Sequence, residues 1–118
     1  MNNSILIVED DVVFCKLLDR FLTGKSFRTQ DAQTASGAMK LIDTTSFDFA
    51  VIDYRLPDQS GIEVLKHLQS VQPETKVIMM SRFDDVELME ELNALGVQTF
   101  IKKPIKPQEL LATIEGLR

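Results

Sequence analysis

At 118 residues the chain has room for one domain with its own core, and 18 acidic against 13 basic side chains, a net charge of −5, exclude the basic footprint of a nucleic-acid binder. A single cysteine, Cys15, excludes an internal disulfide framework, and no apolar run approaches the length of a membrane span. The start Met-Asn-Asn-Ser lacks the pattern of a signal peptide, so the chain reads as one soluble cytoplasmic domain over residues 1–118.

The first strand is Ile5-Leu6-Ile7-Val8, which runs into Glu9-Asp10. A helix from Asp11 to Thr23 follows, with Val13, Leu17 and Phe21 on its apolar face, Phe14 and Leu18 beside them, and Gly24 as its stop. Phe27 to Ala32 predicts a weaker edge strand, and Ser36 to Thr44 a short helix carrying Ala38, Leu41 and Ile42. Asp48 to Asp53 is almost continuously apolar, as a central strand covered on both faces should be. The turn residues Pro57-Asp58-Gln59-Ser60-Gly61 open a helix carrying Ile62, Leu65 and Leu68, which ends before Pro73. Lys76 to Met80 is the fourth strand. Asp84 or Asp85 caps a helix carrying Leu88, Leu92 and Leu95 that stops at Gly96. Thr99 to Lys102 is the fifth strand, and Pro107 starts a helix with Leu110, Ile114 and Leu117 inward. The pattern is (βα)5, an α/β doubly wound five-stranded parallel sheet with helices on both faces.

Strands in such a sheet deliver their carboxyl ends to one crevice. Glu9, Asp10 and Asp53 would meet there, with Ser81 at the end of the fourth strand and Lys102-Lys103-Pro104 at the end of the fifth. Three carboxylates in one place repel unless a cation sits among them, and oxygen-only ligands favour a hard ion such as Mg²⁺. Lys103 offers a point charge for phosphate and Ser81 a hydroxyl donor. Aspartate can accept a phosphoryl group as an acyl phosphate, and Asp53, ending the central strand, is the best-placed candidate.

Four fragments carry a resemblance over essentially the whole chain: Ile-Leu-Ile-Val-Glu-Asp-Asp at 5 to 11, Val-Ile-Asp-Tyr-Arg-Leu-Pro-Asp-Gln-Ser-Gly at 51 to 61, Met-Met-Ser ending at 81, and Phe-Ile-Lys-Lys-Pro at 100 to 104. The chain resembles the receiver domain of bacterial two-component response regulators. That resemblance implies a flavodoxin-like strand order 2-1-3-4-5, Asp53 as phosphoacceptor, and Mg²⁺ held by Asp10, Glu9, Asp53 and the backbone carbonyl of Arg55. It implies that Lys103 neutralises the phosphoryl group, that the Lys103-Pro104 bond is cis, and that Ser81 and Phe100 form the switch. The implied donor is a sensor histidine kinase or phosphotransfer protein. The implied readout is the surface of the fourth helix, fifth strand and fifth helix, acting on an output domain or target, with a phosphorylation-dependent homodimer as one form. Tyr54-Arg55-Leu56-Pro57 resembles the stretch found in receivers of σ54-dependent transcription activators.

Serine at 81 keeps the hydroxyl of the family's usual threonine, whereas Arg82 replaces a usually small residue, and Arg55 and Phe83 fall where the family tunes phosphoryl lifetime. His67 reads as a solvated side chain on the polar side of its helix, and Cys15 as a small, partly buried one. Three other functions compete. A small Mg²⁺-dependent aspartyl phosphatase wants a second aspartate where Arg55 stands. An FMN carrier would find Glu9-Asp10-Asp11 repelling its phosphate. A degenerate receiver would bind partners without phosphorylation.

Overall fold

Five strands pair in parallel in the order 2-1-3-4-5, each followed by a helix, so the chain adopts the (βα)5 flavodoxin-like layout. The computed structural model describes residues 3–82, 86–97 and 99–118. In chain order the elements are β1 (Ser4–Val8), α1 (Val12–Gly24), β2 (Arg28–Ala32), α2 (Ala35–Thr44), β3 (Phe49–Asp53), α3 (Gly61–Val71), β4 (Lys76–Ser81), α4 (Val86–Ala94), β5 (Phe100–Lys102) and α5 (Pro107–Leu117). β2 is an edge strand, and its half-exposed Arg-Thr-Gln-Asp-Ala sequence suits that place.

Alternation along the central strands sorts their side chains into two cores. Leu6, Val8, Ala50, Ile52 and Met79 face α2, α3 and α4, where they meet Ile42, Leu65, Leu68, Leu88 and Leu92. Ile5, Ile7, Val51, Ile78 and Met80 face the other way, onto Cys15, Leu18 and Leu22 of α1 and Leu110 and Ile114 of α5. β3 is buried along its full length, which is why its sequence is apolar on both faces up to Asp53.

α1 turns a different face inward from the one its periodicity suggests. Val13 is 81% exposed and Leu17 51%, whereas Cys15, Leu18 and Leu22 are fully buried and Phe14 and Phe21 flank them. The helix carries two apolar stripes, and at about 100° per residue Val13 and Leu17 lie on the far side from Cys15 and Leu22. Cys15 is therefore wholly enclosed rather than partly buried. Asp11 belongs to the cap, its carboxylate accepting from Phe14 N at 3.1 Å. The helix ends at Gly24, but the left-handed residue of its exit is Ser26, at φ 72°.

Other boundaries shift by one residue. Phe27 is buried just before β2, and β5 begins at Phe100. Gly96 has the positive φ of 78° expected after α4, while the Asp84 or Asp85 cap lies outside the described residues. His67 is not a free solvated side chain: it is partly buried and its Nε2 lies 2.7 Å from Asp43 Oδ1, tying α3 to α2.

Candidate functional site

The chain runs from β1 out to β2 and then crosses back to β3, so strand order reverses between β1 and β3 and leaves a crevice at their carboxyl ends. Glu9 and Asp10 follow β1, and Asp53 ends β3. Their carboxylate oxygens lie within 4.8 Å of one another. Glu9 is fully buried and Asp53 nearly so, while Asp10 is exposed at the mouth. Glu9 is fixed through its backbone, whose N–H donates to Ala32 O at 3.0 Å, and through Oε2, which accepts from Asp11 N at 3.1 Å.

Lys103 reaches this cluster from the loop after β5. Its Nζ donates to Glu9 Oε1 and, at 2.9 Å, to Asp53 Oδ2. Its backbone N–H donates to Ser81 O at 2.8 Å, and the following bond to Pro104 is cis. Burial alone would lower the Lys103 pKa, but the hydrogen bonds its ammonium donates to Glu9 and Asp53, with their negative charges, outweigh it and hold the ammonium above the usual lysine value. At Asp10 burial, then the hydrogen bond and charge of Glu9, raise the carboxyl pKa.

Ser81, almost fully buried, ends β4 one residue past the Asp53–Met80 register pair. Together with Asp11, Arg55 and the exposed Arg82 it completes the wall of a cleft of about 360 Å³ around the carboxylates and Lys103. Phe100 sits at the start of β5, partly buried against the α2, α3 and α4 core.

The loop from β3 to α3 is tightly closed. Gly61 N donates to Tyr54 O at 2.7 Å, Arg55 and Ser60 form an isolated antiparallel bridge, and Ser60 Oγ caps α3 by accepting from Ile62 N at 3.1 Å. A Cβ at position 61 would lie 2.0 Å from the Asp53 carbonyl oxygen, so only glycine allows this approach to the Asp53 backbone. Arg55 N donates back to Asp53 Oδ1 at 3.4 Å.

Glu9, Asp10, Asp53, Arg55, Ser81 and Lys103 thus converge on one cleft, whereas Phe100 packs against the core beneath α2, α3 and α4. Two participants were not foreseen. The Lys103 ammonium lies 5.6 Å from the centroid of the Phe14 ring, within cation–π range, although Phe14 reads in sequence only as helix packing. Asp58, which reads as a turn residue, reaches across to α2. A separate group, Cys15, Asp19 and Asp31, lies between α1 and β2. Burial and the adjacent Asp31 push the Asp19 carboxyl up to about 6, and burial pushes the Cys15 thiol to about 12, so the thiol stays protonated and unreactive.

A doubly wound parallel sheet with an acidic cleft and a lysine at its switch point defines a receiver-type module. The chain matches the response regulator receiver domain family over residues 5–115 and belongs to it. It is 29% identical over 114 residues to the transcriptional regulatory protein ZraR of Escherichia coli K12, an alignment covering 97% of this chain and 26% of that protein. To a cyclic di-GMP phosphodiesterase of Thermotoga maritima it is 31% identical over 102 residues, covering 86% of this chain and 27% of that protein. The crystal structure of a CheY-like receiver domain protein from Methanospirillum hungatei superposes with a TM-score of 0.94 at 28% identity, covering 99% of this chain and 94% of that one. The chain spans about a quarter of the length of these two curated relatives. It is a receiver domain of a two-component response regulator, and among the described residues no helix is long and apolar enough to cross a membrane.

Proposed function

We propose that this receiver works as a phosphorylation switch with Asp53 as the phosphoacceptor. The observation that carries the reading is the convergence of Glu9, Asp10 and Asp53 within 4.8 Å, bridged by Lys103, at the switch point of the sheet. A donor set of carboxylates without histidine or cysteine fits a hard divalent ion, so Glu9, Asp10, Asp53 and the Arg55 carbonyl would hold Mg²⁺. The bound ion supplies neutralisation of the charge on the transferred phosphoryl oxygens.

In the proposed reaction an Asp53 carboxylate oxygen forms a bond to phosphorus as the phosphorus–nitrogen bond of a phosphohistidine breaks and the imidazole leaves. Acetyl phosphate would serve in the same way, with acetate leaving. Lys103 binds a phosphoryl oxygen with its ammonium and the Ser81 hydroxyl donates to another. Hydrolysis of the acyl phosphate restores Asp53, so the domain turns over only its own phosphoryl group and is not an enzyme toward other substrates. Ser81 and Lys103 bind the modified aspartate differently from the free one, which biases Phe100 and the α4-β5-α5 surface toward a second arrangement. The phosphodonor is a cytoplasmic sensor kinase or phosphotransfer protein. The switched surface acts on an output domain or target, or on a second copy of the chain.

The test is the intact mass after incubation with acetyl phosphate and Mg²⁺, beside Asp53→Asn and a chelator control. A metal-dependent gain of one phosphoryl group, absent in Asp53→Asn, is expected. No gain from acetyl phosphate or beryllofluoride would leave a receiver that binds partners without phosphorylation.

A further inference from the structure

α2 takes part of its N-terminal cap from a residue far along the chain. Three backbone N–H groups of its first turn need acceptors. Thr34 Oγ1 takes that of Gly37 at 3.0 Å, but Asp58 takes the other two: Oδ1 accepts from Ala35 N at 2.8 Å and Oδ2 from Ser36 N at 3.0 Å. A carboxylate facing two successive N–H groups is charge-assisted, and the positive end of the helix dipole favours it. These two bonds hold the Asp58 carboxyl below the usual aspartate value. These bonds tie the loop after β3 to α2.

The same short stretch of chain supports both halves of the acidic cleft. Ala32, just before α2, accepts the Glu9 backbone N–H at 3.0 Å, and Ala35 and Ser36 hold the loop that follows Asp53. Residues 32–36 therefore form a platform on which the end of β1 and the loop after β3 are both fixed. Arg55 lies on the first limb of that loop, opposite Ser60 and between the Tyr54–Gly61 closure and the Asp58 anchor.

We propose that Asp58 is a positioning residue of the phosphoacceptor site: by anchoring the β3–α3 loop to the N-terminus of α2, it orients the Arg55 carbonyl and the Asp53 carboxylate against Glu9 and Asp10. The inference rests on the phosphoacceptor reading of that cleft. Asp58 touches neither metal nor phosphoryl group, and it acts through the loop it holds. Such supports matter because the direction of a metal-ligating oxygen is set by what binds the rest of its segment.

The experiment compares Mg²⁺ binding, by amide shift titration, and urea stability in wild type, Asp58→Ala, Asp58→Asn and Thr34→Ala. Thr34→Ala removes the local cap of α2 without releasing the loop, so it reports what loss of a cap alone does. Asp58→Ala is expected to weaken Mg²⁺ by on the order of 10-fold, the lower end of what loss of groups that orient metal ligands costs. Asp58→Asn keeps one acceptor oxygen and falls between, while Thr34→Ala leaves Mg²⁺ affinity unchanged. Affinity within twofold of wild type in Asp58→Ala, or equal weakening in Thr34→Ala, would overturn the positioning role while leaving the cleft as the metal site. Absence of Mg²⁺ binding by the wild type would instead overturn the phosphoacceptor reading, and the positioning role with it.

Discussion

Replacing Lys103 with methionine keeps the side chain's bulk and removes the cation that bridges Glu9 and Asp53. The magnitude follows from the spacing of the carboxylates. Two unit charges no more than 4.8 Å apart repel by at least about 3.5 kcal/mol at an effective permittivity of about 20, and Glu9 and Asp53 are both buried. Removing one partner of a buried ion pair costs about 3–5 kcal/mol by independent reckoning. Lys103→Met should therefore lose about 3 kcal/mol of unfolding free energy at neutral pH with metal chelated, read from urea titrations of the two proteins. Added Mg²⁺ should shrink the deficit, since a cation is again among the acids. A loss below about 1 kcal/mol that does not vary with Mg²⁺ would refute the claim that Lys103 holds these carboxylates together.

Gly61→Ala should cost at least about 2 kcal/mol in urea and weaken Mg²⁺ binding, because its Cβ would lie 2.0 Å from the Asp53 carbonyl and the loop must move; a variant of wild-type stability would contradict that packing. Asp19 binds its proton more tightly folded, at about 6, than unfolded, so it adds stability as pH falls from about 6 toward 4 and withholds it above 6. Asp19→Asn should accordingly gain about 1–2 kcal/mol at about pH 7.5, after allowance for solvent screening, and flatten stability between pH 4 and 6; an unchanged profile would contradict the assignment. Arg82→Ala should slow phosphorylation by acetyl phosphate about threefold at low salt, because the exposed guanidinium lines the cleft and draws the anionic donor; identical rates would contradict it.

The strand ends were legible in sequence because each is a local event: a short apolar run stops at a polar residue, and a parallel sheet gathers such stops at one edge. Glu9, Asp10, Asp53, Ser81 and Lys103 were placed in that way. Gly61 appeared only as a turn residue, since its closeness to the Asp53 carbonyl depends on how the loop closes. The face of α1 was misread because Val13 and Leu17 repeat at helical spacing as well as Leu18 and Leu22 do, and only the position of β1 and α5 decides which stripe is covered. The link from Asp58 to α2 joins residues more than twenty positions apart. So does that from His67 to Asp43, and Lys103 meets Phe14 from nearly the other end of the chain. No local pattern announces such pairs, which depend on how helices and loops are set by the sheet.

Borohydride reduces an acyl phosphate on aspartate to an alcohol, leaving homoserine, so reduction of the acetyl-phosphate-treated protein followed by peptide mapping reads the acceptor directly. Homoserine is expected at position 53 alone, dependent on Mg²⁺. Homoserine at Asp10 or Asp11, or modification that persists in Asp53→Asn, would contradict it.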